Sequence, residues 1–108
     1  MHDVEVIEDR AAAAVALDPV RARLLSELAE PASATTLASR LGLPRQMVNY
    51  HLRTLEAHGL VALASERAHG GITERLLQAT AASYVVSPGA VSDDAVDPQA
   101  AADRLSAR

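Results

Sequence analysis

The spacing of apolar residues in the first part of the chain predicts successive short helices. An alanine-rich run at residues 11–17 is typical of a closely packed helix. Asp18 is a good N-cap and Pro19 a good first helical residue, so a second helix is predicted to begin there. Pro31 is predicted to end this second helix. The apolar residues of the second helix form one stripe, which consists of Val20, Leu24, Leu25 and Leu28.

The next residues predict a helix–turn–helix. Ser33 is suited to cap a short third helix, and Gly42 is typical of the residue that ends one. The inward side of this helix is predicted to hold Leu37, Ala38 and Leu41. A longer fourth helix is predicted at residues 44–58, with a proline in its first turn and a glycine after its end. A short helix, a glycine-containing turn and a longer helix together make the helix–turn–helix unit.

After this helix the pattern becomes extended. Two apolar runs flank Gly70 and Gly71, which predicts a β-hairpin, with a wing at residues 63–76. Residues 60–64 taken alone could equally be helical. Residues 84–86 are a candidate third strand, and a turn is predicted at residues 87–89. A final helix is predicted to start at Asp97-Pro98 and to continue to Arg108.

The predicted fourth helix has one apolar side and one polar side. At about 100° per residue, Val48, Leu52 and Leu55 fall on the side that faces the core. The opposite side holds amide, phenol and guanidinium groups and no carboxylate, from Gln46, Asn49, Tyr50 and Arg53. Gln and Asn can pair with adenine, and Arg with guanine, in the major groove of DNA. A solvent-exposed polar face is the alternative interpretation, but the turn geometry and the hairpin favour DNA.

Residues 18–80 resemble the winged helix–turn–helix of the ArsR-type bacterial repressors. Three segments carry the resemblance: Asp18-Pro19-Val20-Arg21-Ala22-Arg23-Leu24-Leu25, Leu37-Ala38-Ser39-Arg40-Leu41-Gly42-Leu43, and Val48-Asn49-Tyr50-His51-Leu52-Arg53-Thr54-Leu55-Glu56-Ala57-His58-Gly59-Leu60-Val61. The resemblance implies a mainly α fold with a small β-hairpin wing. It also implies a homodimer that places one recognition helix per subunit in successive major grooves of double-stranded DNA, with the hairpin near phosphates or the minor groove.

The residues expected to contact DNA lie on the fourth helix and the hairpin. For His51, a packing role inside the protein and a contact with the DNA backbone are both open. His58 is expected at a helix C-terminus, where a cation suits the helix dipole. The full predicted set is Arg45, Gln46, Asn49, Tyr50, His51, Arg53, Arg67, His69 and Arg75.

The overall charge of −4 is unfavourable for binding a polyanion. It is unevenly distributed, however, because residues 10–75 hold eight arginines and six acidic residues, whereas both ends are acidic. All ten cationic side chains are arginines, which can form two parallel hydrogen bonds to guanine or phosphate. Non-specific binding to DNA should therefore be weak and salt-sensitive, so specific binding depends on base contacts and dimerisation.

Composition excludes several other classes. The chain has no cysteine, which rules out disulfides and thiolate metal sensing, and His2 with Asp3 makes only a weak metal site. No nucleophile motif or phosphate-binding glycine loop is present, so neither catalysis nor a cofactor is expected. No apolar run approaches the roughly 20 residues of a membrane span, which favours a soluble, cytoplasmic protein.

The predicted organisation has three parts. Residues 1–17 form an arm and a dimerisation helix, residues 18–80 the DNA-binding domain, and residues 81–108 a segment with a second dimerisation helix. The end at Arg108 indicates either a short helix or a chain cut from a longer protein. The predicted function is a homodimeric transcription regulator that acts as a repressor, with no effector assigned. The alternatives are a winged-helix interaction module that does not bind DNA and a thiol-free metal-responsive repressor.

Overall fold

A computed structural model describes residues 2–91, so the helix predicted at the end of the chain lies outside the described residues. Within them, no helix combines the length and apolar character needed to cross a membrane. The described chain is a mainly α winged helix–turn–helix, as predicted. Its elements in order are β1 (His2–Ile7), α1 (Arg10–Leu17), α2 (Pro19–Glu27), α3 (Ala34–Leu41), α4 (Arg45–Ala57), β2 (Val61–His69), β3 (Ile72–Ala79), β4 (Ala81–Val86) and α5 (Pro88–Val91).

The N-cap of α2 lies where the sequence predicts it. The Asp18 carboxylate accepts hydrogen bonds from the backbone N–H groups of Val20 and Arg21, both at 3.1 Å. The predicted end at Pro31 is wrong, because α2 ends at Glu27 with Leu28 as its C-cap. Leu28 is fully buried, and its carbonyl accepts a hydrogen bond of 2.8 Å from the backbone N–H of Ala79 at the end of β3. Burial and pairing of this residue end the helix before the proline is reached.

The turn between α3 and α4 is closed by local hydrogen bonds. Ser33 caps α3 by accepting from the N–H of Thr36 at 3.1 Å. Gly42 follows with a φ of 66°, a left-handed conformation that glycine adopts without steric cost. The recognition helix predicted at residues 44–58 is one residue shorter at each end. Pro44 is the N-cap, because its ψ of 137° is extended, and His58 is the C-cap.

The hairpin of β2 and β3 is longer than the predicted wing at residues 63–76. Antiparallel pairing runs from Val61 with Ala79 to His69 with Ile72, and both glycines of the tip have positive φ. Residues 61–64 are therefore strand and not helix. The extra length is explained by burial, because the residues that begin β2 and end β3 are part of the core. A single bridge from Ala32 to Leu77 ties the hairpin to the segment before α3.

A second sheet joins the two ends of the described chain. Strand β1 pairs in parallel with β4, and Val6 lies opposite Val85. The sequence predicted an acidic arm in place of β1, and it predicted only the last part of β4. The turn predicted at residues 87–89 contains the start of α5, a single helical turn.

Leucines and alanines build the core, as the composition requires. The Tyr84 hydroxyl donates a hydrogen bond of 2.6 Å to the carbonyl of Leu60 and accepts one from the N–H of Thr80 at 3.0 Å. It thereby ties β4 to the start of the hairpin. The largest fully buried apolar side chains are Leu24, Leu28, Leu37, Leu55, Leu60, Val48 and Val61.

The cap at Asp18 gives a pH-dependent prediction. The backbone hydrogen bond from Arg21 holds the pKa of Asp18 below its ordinary value. The ionised carboxylate therefore stabilises the fold above the unfolded pKa, and this contribution is lost as the pH falls through the lower folded pKa. We expect Asp18→Ala to lower the free energy of unfolding by about 1 kcal/mol at neutral pH, as measured by denaturant titration.

Asp18→Asn is the matched control, because asparagine keeps the capping oxygen without the charge. It should cost less than Asp18→Ala at neutral pH, and its difference from the unsubstituted protein should vanish in acid. A difference that persists unchanged after the carboxylate is protonated would contradict this account of Asp18.

Candidate nucleic-acid interface

Helix α4 has one buried side and one exposed side, as its apolar spacing predicts. Val48 and Leu55 are inaccessible to solvent and Leu52 nearly so. On the opposite side Gln46 and Arg53 are exposed, Tyr50 is 59% exposed and Asn49 is half-buried. Because the inner side is packed into the core, the rotation of α4 about its axis is fixed. The polar side is therefore presented outward in one orientation.

A groove of about 500 Å³ lies between α4 and the hairpin. The structure divides the predicted polar face at this groove, because Asn49 and Arg53 line it whereas Gln46 and Tyr50 do not. Arg45 also lines the groove, from the first turn of α4. The other lining residues come from α3, α4, the hairpin and the residue before α3, and they include Ser33, Thr35, Leu52, Glu56, Ile72, Thr73 and Leu77.

The two arginines predicted on the wing are both paired with carboxylates. Arg67 donates to Glu74 across the hairpin, with an Nη2 to Oε2 distance of 2.8 Å. Arg75 donates to Glu56 of α4 through both terminal nitrogens, at 2.8 and 3.3 Å. This hydrogen bond, with the nearby charge of Glu66, raises the pKa of Arg75. The positive charges of Arg67 and Arg75 are therefore already balanced by carboxylates of the protein itself.

Glu56 is a charged residue of α4 that lines the groove and that the sequence did not predict there. The polar side of α4 was expected to carry no carboxylate, but Glu56 lies one turn after Arg53 and lines the same groove. The signal was present, because residues seven positions apart, such as Asn49 and Glu56, share one side of a helix. Among residues 2–91, Arg45 and Arg53 have no ion-pair partner, so the uncompensated positive charge of the groove belongs to α4.

His51 lies at the junction of α4 with the start of α2. Its Nδ1 is 3.1 Å from Nη1 of Arg21, and its ring meets the ring of Tyr50 edge-on with centroids 5.4 Å apart. Nε of Arg21 donates in turn to the carbonyl of Val15 in α1, at 2.7 Å. In the sequence, Arg21 is notable only as part of the segment of residues 18–25. The contact with His51 could not be inferred from spacing, because 30 residues separate the two.

The remaining histidines lie at the ends of elements. His58 is the C-cap of α4, as expected, and its Nδ1 donates to the carbonyl of Thr54 at 2.9 Å. His69 is the last residue of β2, opposite Ile72 at the tip of the hairpin. His58 is not among the residues that line the groove, so the structure separates it from Asn49 and Arg53.

Comparisons with known proteins agree with this architecture. Residues 16–64 match the family model of a helix-turn-helix domain. Similar solved structures include HlyU from Vibrio cholerae, at 25% identity and a TM-score of 0.50 over 65% of this chain and 74% of that chain. NolR from Sinorhizobium fredii shares the fold, at 21% identity and a TM-score of 0.53 over 88% of this chain and 80% of that chain. No curated protein matches the sequence. The described chain thus contains a helix-turn-helix domain, to which residues 16–64 are similar, within a winged fold.

Proposed function

We propose that the protein is a sequence-specific transcription regulator of the ArsR type that binds double-stranded DNA through α4. One observation carries the proposal: α4 buries one side completely and presents Asn49 and Arg53, with Arg45, to an open groove beside a β-hairpin. In a winged helix, the helix after the turn enters the major groove and the hairpin reaches the adjacent backbone or minor groove.

The chemistry of each side chain on α4 determines whether it is proposed to contact bases or the DNA backbone. The amides of Gln46 and Asn49 suit the two hydrogen-bonding atoms of adenine, and the fork of Arg53 suits guanine. Arg45 at the first turn and Tyr50 beyond the groove are proposed to hold the helix against the backbone on either side. The hairpin contributes contacts through Arg67, His69 and Arg75, and the two arginines must share their charge between phosphates and the carboxylates that hold them.

A homodimer and a repressor role complete the proposal. Two copies of α4 would enter successive major grooves, about 10 base pairs apart. The dimer surface is proposed on the segments 1–17 and 81–108. In α1 only Leu17 among the larger apolar side chains is more than half exposed, because Val15 is already buried within the protomer. Val4, Val6 and Val85 of the second sheet are also each more than half exposed. The repressor role rests on the resemblance to ArsR-type proteins, and no effector is assigned.

A second candidate function is a winged-helix module that binds protein and not DNA. The ion pairs of Arg67 and Arg75 favour it, because a neutral hairpin attracts phosphate less strongly. A metal-responsive repressor is a further hypothesis, testable by adding zinc or nickel to the DNA-binding assay. Within residues 2–91, no three His, Asp or Glu side chains come together in a way that could hold an ion.

The first test of DNA reading uses Asn49→Ala with Arg53→Ala. Selection from a random DNA pool should give the unsubstituted protein a defined motif with two half-sites. Each bidentate base contact contributes about 1–3 kcal/mol of discrimination, so the double variant should bind that motif at least about tenfold more weakly. Affinity is measured by fluorescence anisotropy and folding by circular dichroism.

Arg23→Ala is the matched control, because Arg23 is an exposed arginine of α2 outside the groove. It removes the same charge as Arg53→Ala and should leave the selected motif unchanged. If Arg23→Ala lowered the affinity as much as the double variant does, binding would depend on net charge alone. A folded double variant with full affinity would refute base reading by α4.

Glu56→Gln tests the role of the carboxylate in the groove. Removing this negative charge frees Arg75 for phosphate, so we expect tighter binding to DNA. The slope of log affinity against log salt should steepen by about one unit if Arg75 gains one phosphate. Glu30→Gln, at an exposed glutamate after α2, removes the same charge away from the groove and is the control. Weaker binding of Glu56→Gln would instead show that the pair with Arg75 is needed to position the hairpin.

A further inference from the structure

Arg21 connects three helices at the edge of the proposed DNA-binding surface. Its backbone N–H donates to Asp18 at the start of α2, and its Nε donates to the carbonyl of Val15 in α1, at 2.7 Å. The first bond anchors the backbone of Arg21 at the start of α2, and the second holds its guanidinium against α1. One of the two terminal nitrogens, Nη1, is 3.1 Å from Nδ1 of His51 in α4.

The chemistry of the two groups determines the direction of the last bond. A guanidinium carries only donors, so Nδ1 of His51 must accept. An imidazole that accepts at Nδ1 and is neutral carries its proton on Nε2. Among residues 2–91, no hydrogen-bond partner is found for Nε2, and the ring is only half-buried. Two charged groups face the ring. Arg21 contacts it directly, and the carboxylate of Asp18 interacts with it electrostatically.

We infer that Arg21 is a positioning residue that holds His51 as the Nε2–H tautomer, and that this N–H donates to a phosphate oxygen of bound DNA. The phosphate contact rests on the proposed function, whereas the tautomer does not. His51 follows Tyr50 on α4 and lies about 100° further around the helix, away from the side that reads bases. A helix in the major groove is flanked there by the sugar–phosphate backbone, whose oxygens accept hydrogen bonds without regard to sequence.

The two roles expected of His51 then belong to different nitrogens of its ring. Nδ1 accepts the hydrogen bond from Arg21 and is structural, while Nε2 is the contact to DNA. Because the donor is neutral, it orients α4 on the backbone without releasing a counterion, so it should affect affinity but not the salt slope.

The tautomer is tested in the free protein by ¹⁵N NMR of the imidazole rings. In the unsubstituted protein at mildly alkaline pH, His51 should show a protonated Nε2 and an unprotonated Nδ1, with no detectable Nδ1–H form. Arg21→Met removes the donor, and the Nδ1–H form should then become detectable. A ring protonated on Nδ1, or a tautomer ratio that ignores Arg21, would overturn the inference.

The phosphate contact is tested with two amides in place of His51. The side-chain oxygen of His51→Asn can occupy the position of Nδ1, whereas the side-chain nitrogen of His51→Gln can reach the position of Nε2. The glutamine variant should bind the selected motif nearly as well as the unsubstituted protein. The asparagine variant should fold but bind about tenfold more weakly, since hydrogen bonds to charged groups contribute more than neutral ones.

Both variants should keep the salt slope, a readout that loss of folding would not preserve. Equal affinities, or better binding by asparagine, would show that His51 has only a structural role. If the unsubstituted protein selects no DNA motif, the proposed function and the phosphate contact both fail. The NMR result then still decides whether Arg21 fixes the tautomer, so the two failures are distinguishable.

Discussion

Burial of the inner side of α4 is the constraint on which the rest of the described structure depends. Val48 and Leu55 are fully buried and Leu52 is nearly so, among leucines from α2, from α3 and from the residue before β2. A close-packed core does not permit the helix to rotate without opening cavities, which cost several kcal/mol for each large side chain lost. The left-handed turn at Gly42 then sets the angle at which α4 follows α3. The outward direction of Asn49 and Arg53 is a consequence of packing on the other side.

The charge of the groove between α4 and the hairpin differs from the net charge of the chain. The overall value is −4, yet two of the four arginines that line the groove are uncompensated, and both belong to α4. The hairpin contributes two ion pairs that are exposed to solvent, and such pairs add little to stability. Their effect is local, because they reduce the attraction of the hairpin for anions. Positive potential is thereby concentrated on the helix that carries the proposed base-reading residues.

The sequence predicted the features that depend on a few neighbouring residues. The cap at Asp18, the cap at Ser33 and the turn at Gly42 each involve groups within about three positions of one another, so local spacing was sufficient. The periodicity of α4 was predicted for the same reason. The ends of α2 and of the hairpin were not, because burial of Leu28 and Val61 against distant segments decided them.

The features that the sequence did not predict are contacts between distant positions. Arg75 meets Glu56 across 19 residues, and Arg21 meets His51 across 30. Strand β1 has alternating valines that suit a strand, but no local signal identifies a parallel partner at the opposite end of the described chain. The predicted polar face of α4 was therefore correct in composition, whereas its division by the groove required the position of the hairpin.

The parallel pairing of β1 with β4 also imposes an order on folding during synthesis. Asp3 and Ser83, which are hydrogen-bonded across the two strands, are 80 residues apart. Strand β1 therefore leaves the ribosome well before β4, the strand with which it pairs. Helices α1 to α4 and the hairpin can form from shorter-range contacts in the meantime. A waiting, unpaired strand is a hazard for association with other nascent chains, and charged residues are a common protection against it. The acidic residues at positions 3, 5, 8 and 9 would keep β1 soluble and apart until its partner arrives.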